Sequence, residues 1–282
     1  MSAPHTTASG VVLRTSGPLA ALLRMSAVAS NTVREAGRAK LFYGLLGAAI
    51  LLLAFSIVLS DLALVDQKAR LVQSFGLAVI PLVCVATATL MGGLLLHQEL
   101  DRKTLYAILP KPIARSEFLI GKFVGMAALL GIELGVLVLC WWGVLHLRGG
   151  TLTGALVRAF GLAYVELLVV TAVALVFSAL SRPVLAGVLT LGVVVVGRTN
   201  YVLADLLAAT KGVFVEVPAM RSLGKLLVAV VPDLSTFAVA DPVLQGWVVP
   251  WAYCVSAALY GAAWVAACVV AAALLFERRD FT

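Results

Sequence analysis

Residues 97–122, HQELDRKTLYAILPKPIARSEFLIGK, form a polar stretch between two long apolar segments of the chain. Asp101 is suited to be the N-cap of a short helix over 102–109, because its carboxylate can accept a free backbone N–H at the positive helix end. Pro110 and Pro112 end that helix, since proline lacks the N–H and pushes the preceding residue out of the α region. The stretch therefore predicts a short helix that lies crosswise between two apolar segments.

A second helix begins after the prolines and runs into the next apolar segment. Ser116 and Glu117 are expected to cap it, because a hydroxyl and a carboxylate can both accept N–H groups of a first helical turn. The short helix before it carries three apolar side chains, Leu105, Tyr106 and Ile108, among charged ones. Such an element between two apolar segments is a docking surface for a soluble partner.

The composition excludes a soluble protein. Of the 282 residues, 62% are hydrophobic and 12% are charged, and the mean hydropathy is +1.07, whereas a soluble domain carries about 25% charged residues. The net charge of +7 comes from basic residues dispersed around apolar segments, not from a stripe that would bind nucleic acid. The four cysteines lie in apolar runs and are expected to behave as small buried hydrophobic residues. We expect an all-α integral membrane protein.

The apolar runs predict a domain of six spans over residues 41–282, each span long enough for a hydrocarbon core of about 30 Å. The fifth begins near Val184 and its end is open, because Arg198 either snorkels outward or lies in a longer helix that reaches Ala209. Residues 211–250 are expected to form a mixed outer segment. Most of the 21 basic residues fall on segments that would be cytoplasmic, which places both termini in the cytoplasm. The other five spans are 41–60, 75–96, 118–147, 160–180 and 251–276.

The N-terminal region divides into two parts. Residues 1–16 are polar and small and are expected to be disordered. Residues 17–40 are amphipathic, too polar to span and too apolar to be free, so we expect a helix in the cytoplasmic interface. Thr32 and Glu35 have the spacing of a capping box. An ordinary basic juxtamembrane segment explains the same composition equally well.

No catalytic constellation is present in the sequence. A Walker A loop needs G-x-x-x-x-G-K-[ST], and the Gly121-Lys122 pair lacks both the first glycine and the hydroxyl residue. The three histidines, His5, His97 and His146, lie on different segments and form no HExxH motif. We therefore expect a chain that is not an enzyme and that holds no cofactor of its own.

Two carboxylates lie inside predicted spans. Glu133 is near the middle of the third span and Glu166 is in the fourth. An acid at the bilayer centre costs about 2.5–3.5 kcal/mol on insertion scales, so each should face protein or water. Both are candidates for the translocation path. The alternative is a protonated or hydrogen-bonded helix contact, for Glu166 with Tyr164 or Tyr201.

The third span also carries two Gly-x-x-x-Gly spacings, at Gly121/Gly125 and at Gly131/Gly135. Small residues at this spacing allow helices to approach closely. In a chain with 24 glycines the spacing also arises by chance, so both readings stay open.

The polar stretch resembles the coupling-helix signature of type-2 ABC-transporter permeases, and in particular the branch that holds the permease of the nitrous-oxide-reductase maturation transporter. That signature is an acidic span end, Thr-Leu, a proline, a basic residue, a glutamate, and Gly-Lys at the start of the next span. Any cytoplasmic loop of a multi-pass protein is also polar, basic and rich in proline, but the order and spacing match here. The matching residues are Glu99, Thr104, Leu105, Pro110, Pro112, Arg115, Glu117, Gly121 and Lys122. The other residues expected to couple to an ATPase are Asp101, Arg102, Lys103, Tyr106 and Ile108.

The resemblance implies a coupling helix over 101–110 and an interfacial elbow helix over 17–40. It implies a permease, expected to be an exporter, in the bacterial inner membrane. Its partners would be two cytoplasmic ATPase subunits that bind ATP and Mg²⁺, a second permease copy or paralogue, membrane lipid and an extracytoplasmic accessory protein. Nucleic acid is not among the expected partners.

Two other classes of function compete with this one. A stand-alone secondary transporter would need inverted repeats, broken helices and paired intramembrane charges, and the sequence offers only Glu133 and Glu166. A membrane-embedded enzyme or assembly factor would need a site that the sequence does not supply. With three His, five Met and four Cys, none clustered, the sequence also argues against a dedicated copper path.

Overall fold

Long uncharged runs with few helix breakers give a bundle of long helices. The computed structural model describes residues 18–62, 67–94, 115–208 and 218–277, and every regular element in these ranges is helical, which confirms the all-α prediction. The helices are α1 (Pro18–Ala36), α2 (Lys40–Leu62), α3 (Lys68–Leu94), α4 (Arg115–Leu147), α5 (Gly154–Leu180), α6 (Pro183–Arg198), α7 (Asn200–Ala208), α8 (Pro218–Val230), α9 (Ala240–Leu244) and α10 (Trp251–Glu277), with a 3-10 turn at Leu234–Phe237.

Five of these helices are long and apolar enough to cross a membrane, namely α2, α3, α4, α5 and α10. Two further helix pairs, each bent at a short break, pass the same criterion only when taken together. The described residues therefore offer five to seven spans, which agrees with a multi-pass membrane protein. The count of six stays a prediction.

The fifth predicted span is broken. α6 ends at Arg198, the chain turns at Thr199, and α7 continues from Asn200 in a direction that differs by 55°. Arg198 thus neither snorkels outward nor sits inside one continuous helix, and both expectations are wrong. Its guanidinium instead turns toward α5, where it finds a buried carboxylate. Ala209 lies outside the described residues.

In the described part of the segment before α10, the 3-10 turn and α9 pack onto the bundle, and its outer location stays a prediction. α8 and the unit that contains the 3-10 turn and α9 meet at a bend of 48°. The hydroxyl of Tyr260 on α10 accepts a hydrogen bond from the backbone N–H of Asp233 at 2.8 Å. On the other side, the carbonyl oxygen of Pro232 lies 2.6 Å from where a Cβ on Gly197 would be. The turn therefore packs between α6 and α10.

α5 forms the centre of the bundle, where it packs against α3, α4, α6, α10 and the 3-10 turn. Of its buried hydroxyls, that of Thr171 donates to the carbonyl of Leu167 in the same helix at 2.7 Å, and that of Ser178 donates to the carbonyl of Gly93 on α3 at 3.3 Å. Toward the other end of the bundle, the indole N–H of Trp141 donates to the carbonyl of Val72 at 2.9 Å, and its ring packs edge-on against Phe160. This tryptophan joins α3, α4 and α5.

α1 lies along the first half of α4. The approach is close because both facing positions on α4 are glycines. A Cβ on Gly125 would lie 2.6 Å from the carbonyl oxygen of Ala29, and one on Gly121 would lie 2.8 Å from the Cβ of Val28. The first Gly-x-x-x-Gly spacing therefore marks a helix contact.

The second Gly-x-x-x-Gly spacing makes contact at only one of its glycines. A Cβ on Gly131 would lie 3.3 Å from the ring of Tyr164, whereas one on Gly135 would meet no described atom within 4 Å. Within the described part of this chain, the second motif is not a seam between helices.

The capping box expected at Thr32 is wrong. Thr32 lies near the end of α1, and its hydroxyl donates to the carbonyl of Val28 at 2.9 Å, the back-bond of a helix interior. The helix begins instead at Pro18, a residue suited to a first helical position because its missing N–H is not needed there. The expected place of α1 in the cytoplasmic interface stays a prediction.

Candidate functional site

The predicted coupling residues fall into two groups. Residues 95–114 lie outside the described part of the chain, but α3 ends at Leu94 and α4 begins at Arg115, so the helices on both sides of this stretch are in place. Within α4 the structure describes the side chains of Glu117 and Lys122. The coupling residues that lie outside the described ranges are Glu99, Asp101, Arg102, Lys103, Thr104, Leu105, Tyr106, Ile108, Pro110 and Pro112.

Glu117, in the first turn of α4, forms a bidentate ion pair with Arg24 of α1. Arg24 Nε donates to Oε2 at 2.9 Å and Nη2 donates to Oε1 at 3.0 Å. The hydrogen bonds with Glu117 raise the pKa of Arg24 above its usual value. Two parallel hydrogen bonds fix the orientation of both side chains, and the pair thereby sets the register of α1 against α4.

Further along α4, Lys122 is buried against α1. Its side chain is 3% exposed, and its Nζ lies 3.7 Å from Oε2 of Glu35 and 5.8 Å from the centre of the Phe118 ring. A cavity of about 20 Å³ adjoins Lys122, Glu35 and Thr32. That volume is enough for one water molecule, which would find three polar partners there. A buried ammonium needs such partners, because removing a charge from water is costly.

These two ion pairs, Arg24–Glu117 and Glu35–Lys122, form what we call the α1–α4 clamp. Along α1 the basic residue comes first and the acidic one second, and along α4 the order is reversed. A shift or reversal of α1 would bring like charges together, which is unfavourable. The clamp therefore holds α1 in one register against the first turns of α4, which directly follow residues 95–114, here called the coupling stretch.

The sequence pointed to Glu117 and Lys122 as coupling residues but not to Arg24 and Glu35 as their partners. The Gly-x-x-x-Gly spacing indicated that another helix approaches α4 closely, yet it could not say which helix. The four charges were visible as a complementary set, but their spacings along the two helices differ. Only the crossing of α1 over α4 brings them into contact.

A charge reversal tests the clamp. We expect Arg24→Glu to lower the thermal stability of the purified protein by a few degrees, because two carboxylates then face each other across the α1–α4 contact. The double variant Arg24→Glu/Glu117→Arg should recover most of the loss, since it restores an ion pair with the charges exchanged. The melting temperature in lipid nanodiscs is the measurement. No recovery in the double variant would show that the pair does not determine the register.

Glu133 is buried between α4 and α3, with 1% of the residue exposed. Its Oε1 lies 2.8 Å from the hydroxyl oxygen of Thr87, which also lies 3.1 Å from the carbonyl oxygen of Val83. The Thr87 hydroxyl donates in both contacts and shares its single proton between the carboxyl oxygen of Glu133 and the carbonyl oxygen of Val83. In the described part of the chain, its Oε2 has no hydrogen-bond partner.

Glu166 pairs with Arg198, a partner that the sequence did not reveal. Arg198 Nε donates to Oε1 at 2.8 Å and Nη2 donates to Oε2 at 3.1 Å. The carboxylate side chain is 3% exposed and the guanidinium side chain 33%. The contact expected with Tyr164 or Tyr201 is wrong, because Tyr164 donates to the carbonyl of Ala127 at 3.1 Å and Tyr201 is exposed.

The two buried carboxylates do not share a site. Glu133 joins α4 to α3, and Glu166 joins α5 to the end of α6. Within the described ranges, no three or more His, Cys, Asp or Glu side chains lie close enough together to hold a metal ion. The chemistry available here is hydrogen bonding and ion pairing between helices.

The chain is similar to one protein family over nearly its whole length. The family model described as "ABC-2 family transporter protein" matches residues 5–281. That range includes α1, the coupling stretch, every candidate span and both buried carboxylates. Among curated proteins, none matches this chain.

Proposed function

The chain belongs to the ABC-2 family of transporter proteins, and from that premise we propose that it is a permease subunit driven by separate cytoplasmic ATPase subunits through the coupling stretch. The family supplies the general class of protein and of partner. The observation that supports the coupling route is the α1–α4 clamp, because it lies where α4 leaves that stretch. A force applied there reaches two helices at once.

The proposed movement follows from this geometry. The ATPase subunits would close on ATP and push the predicted crosswise helix over 101–110, which the chain connects to α3 on one side and to α4 on the other. The first turns of α4 cannot move alone, because Glu117 and Lys122 hold α1. A displacement of the coupling stretch would therefore tilt α3 and α4 and carry α1 with them, while α5, packed between several helices, stays as the fixed centre.

Several finer assignments belong to the same proposal. Two permease chains, identical or paralogous, would face each other with two ATPase subunits below, and ATP and Mg²⁺ would be bound by those subunits. The sequence is the basis for three of them: export as the direction of transport, the bacterial inner membrane as the location, and termini in the cytoplasm. The sequence is also the basis for the likeness to the nitrous-oxide-reductase branch and for an extracytoplasmic accessory partner.

One observation favours a second candidate, the stand-alone secondary transporter. Such proteins use broken helices and charges paired near the membrane centre, and this chain has a span broken at Thr199 beside the Glu166–Arg198 pair. Broken helices are not exclusive to that class, and the family match favours the permease. The two candidates differ in whether an ATPase is required, which one experiment decides.

That experiment is purification of the intact complex. We expect the tagged permease, expressed with the ATPase encoded beside it, to copurify as two permease chains and two ATPase chains, because six spans form only half of a central path. Native mass spectrometry in detergent measures the stoichiometry. A lone permease chain that transports at the full rate without ATP would overturn the proposal in favour of the secondary transporter.

A substitution at Glu133 tests its role in the path. Glu133→Gln should leave assembly intact and change ATP hydrolysis stimulated by transport, because α3 and α4 are the helices that the coupling stretch moves and their separation would uncover this side chain. Thr87→Val is the matched control, since it removes the buried partner without changing a charge. If Glu133→Gln turns over at the parent rate and only raises the melting temperature, Glu133 is a helix contact and not part of the path.

A further inference from the structure

One face of α6 is exposed along its whole length. Val184, Val188, Leu191, Val195 and Arg198 follow one another at alternating steps of four and three residues, the spacing of a single helix face. The four apolar members are among the exposed large hydrophobic residues of the structure, and the arginine side chain at the end is 33% exposed. We call this set the α6 stripe. It is a row of apolar side chains with one positively charged side chain at its end.

The cation lies deep in the spanning region. At about 1.5 Å per residue, Arg198 is about 22 Å along α6 from its start at Pro183, and Glu166 is about 21 Å back from the end of α5 at Leu180. The two lengths agree, because the tight turn at 181–182 joins the two helices. In a hydrocarbon core of about 30 Å this level is well inside the membrane.

The guanidinium presents a free edge at that level. Nε and Nη2 are used by Glu166, and among the described residues Nη1 has no hydrogen-bond partner. The carboxylate lies behind the guanidinium and is nearly covered, so the charge on the surface is the positive one. Lipid tails offer no acceptor to a free N–H edge, and an arginine in a span therefore faces protein or water.

The surrounding backbone points to water at this level. Helix α6 breaks at Thr199, and the buried side-chain oxygen of Asn200 has no partner in the described part of the chain. The non-helical segment that contains Pro232 packs against Gly197, directly before Arg198. Irregular backbone at membrane depth is tolerated where it is buried in protein or borders a water-filled cavity.

We propose that the α6 stripe borders a water-filled part of the translocation path and that Arg198 binds the anionic group of an amphiphilic substrate. The apolar body would lie along the valine and leucine side chains, and a carboxylate or phosphate would take the Nη1 edge while Glu166 holds the other two nitrogens. This inference deepens the proposed function and rests on it, because the bound molecule is a transport substrate only if the chain is a transporter. The site itself does not depend on the ATPase.

Thiol labelling tests where the stripe faces. In a background with Cys140, Cys254 and Cys268 replaced by alanine, single cysteines are introduced at Leu191 and Val195 on the stripe. Leu185→Cys and Leu189→Cys on the other exposed side of α6 are the matched controls. In lipid nanodiscs, we expect a water-soluble methanethiosulfonate to modify the stripe positions about 10-fold faster than the controls, because thiols in lipid do not ionise readily.

The charge of the reagent tests the arginine. At Val195→Cys, one helical turn from Arg198, the anionic sulfonatoethyl reagent should react about 3- to 10-fold faster than the cationic trimethylammonium-ethyl reagent, each rate normalised to a free thiol in solution. The preference should persist in Arg198→Lys. It should vanish in Glu166→Gln/Arg198→Gln, a double variant that leaves no single charge buried.

A competition then addresses the ligand class. Octyl phosphate should slow labelling of Val195→Cys and octyltrimethylammonium should not. Equal and slow labelling at all four positions would overturn the proposal, because the stripe would then face lipid or a second chain. Fast labelling without a charge preference, or equal protection by both amphiphiles, would overturn the role of Arg198. If labelling behaves as expected and no ATPase copurifies, the proposed function fails and the site stands.

Discussion

Replacing Gly125 by leucine is expected to separate α1 from α4 and to uncouple the permease from its ATPase. A Cβ at this position would lie 2.6 Å from the carbonyl oxygen of Ala29 and 2.7 Å from the Cβ of Thr32. Both atoms belong to α1, which cannot move away from α4 while the two ion pairs of the clamp are intact. Overpacking of this kind costs typically about 1–3 kcal/mol, and more where backbone is met. The two helices can relieve the strain only by moving apart.

Two measurements follow the effect of Gly125→Leu. Thermal unfolding in nanodiscs should show a lower melting temperature. Transport-stimulated ATP hydrolysis should fall while the ATPase still copurifies, because the docking surface lies elsewhere.

The chain supplies a matched control on the same helix. Gly135→Leu adds the same side chain to α4 at a position where no described atom lies within 4 Å of the new Cβ. It should leave the melting temperature and ATP hydrolysis near the parent values. If Gly125→Leu behaves like Gly135→Leu, the close contact of α1 with α4 carries no force and the clamp is not part of the coupling.

The long apolar helices could be predicted from the sequence because a bilayer selects them by composition and length alone. An uncharged run of about twenty residues has one stable state in hydrocarbon, a helix whose backbone groups bond to one another. The ends of α4 and α10 accordingly lie within a few residues of their predicted positions. Pro81 lies inside α3 and does not end this helix.

The ion pairs could not be predicted, because each joins residues whose distance depends on how helices cross. Glu166 and Arg198 are 32 positions apart and Arg24 and Glu117 are 93 apart. For Arg198, the sequence left two alternatives open, an exit of the side chain to the surface and a place inside a longer helix. The position of the Arg198 side chain depends on a carboxylate on α5 at the same depth. It also depends on the helix break at Thr199, and a threonine does not by itself predict such a break.

The last prediction concerns the short helix over 101–110. We expect Leu105→Asp to abolish association with the ATPase while the chain still inserts and folds. An apolar side chain that fills a groove on the partner anchors the complex, and a carboxylate in its place would be buried without a counter-charge. That costs at least about 3 kcal/mol, or roughly 100-fold in Kd. Insertion should persist, because α3 and α4 keep their own apolar runs.

Arg102→Ala is the control that separates anchoring from electrostatics. A solvent-exposed ion pair with the partner contributes about 0–1 kcal/mol, and such charges mainly set register and association rate. We therefore expect only mild weakening, visible at low salt and lost at high salt. Pull-down of the ATPase from membranes by each variant is the measurement. If Leu105→Asp retains the ATPase as well as the parent does, the polar stretch between α3 and α4 is an ordinary loop. The clamp beside it would then hold helices together without transmitting force.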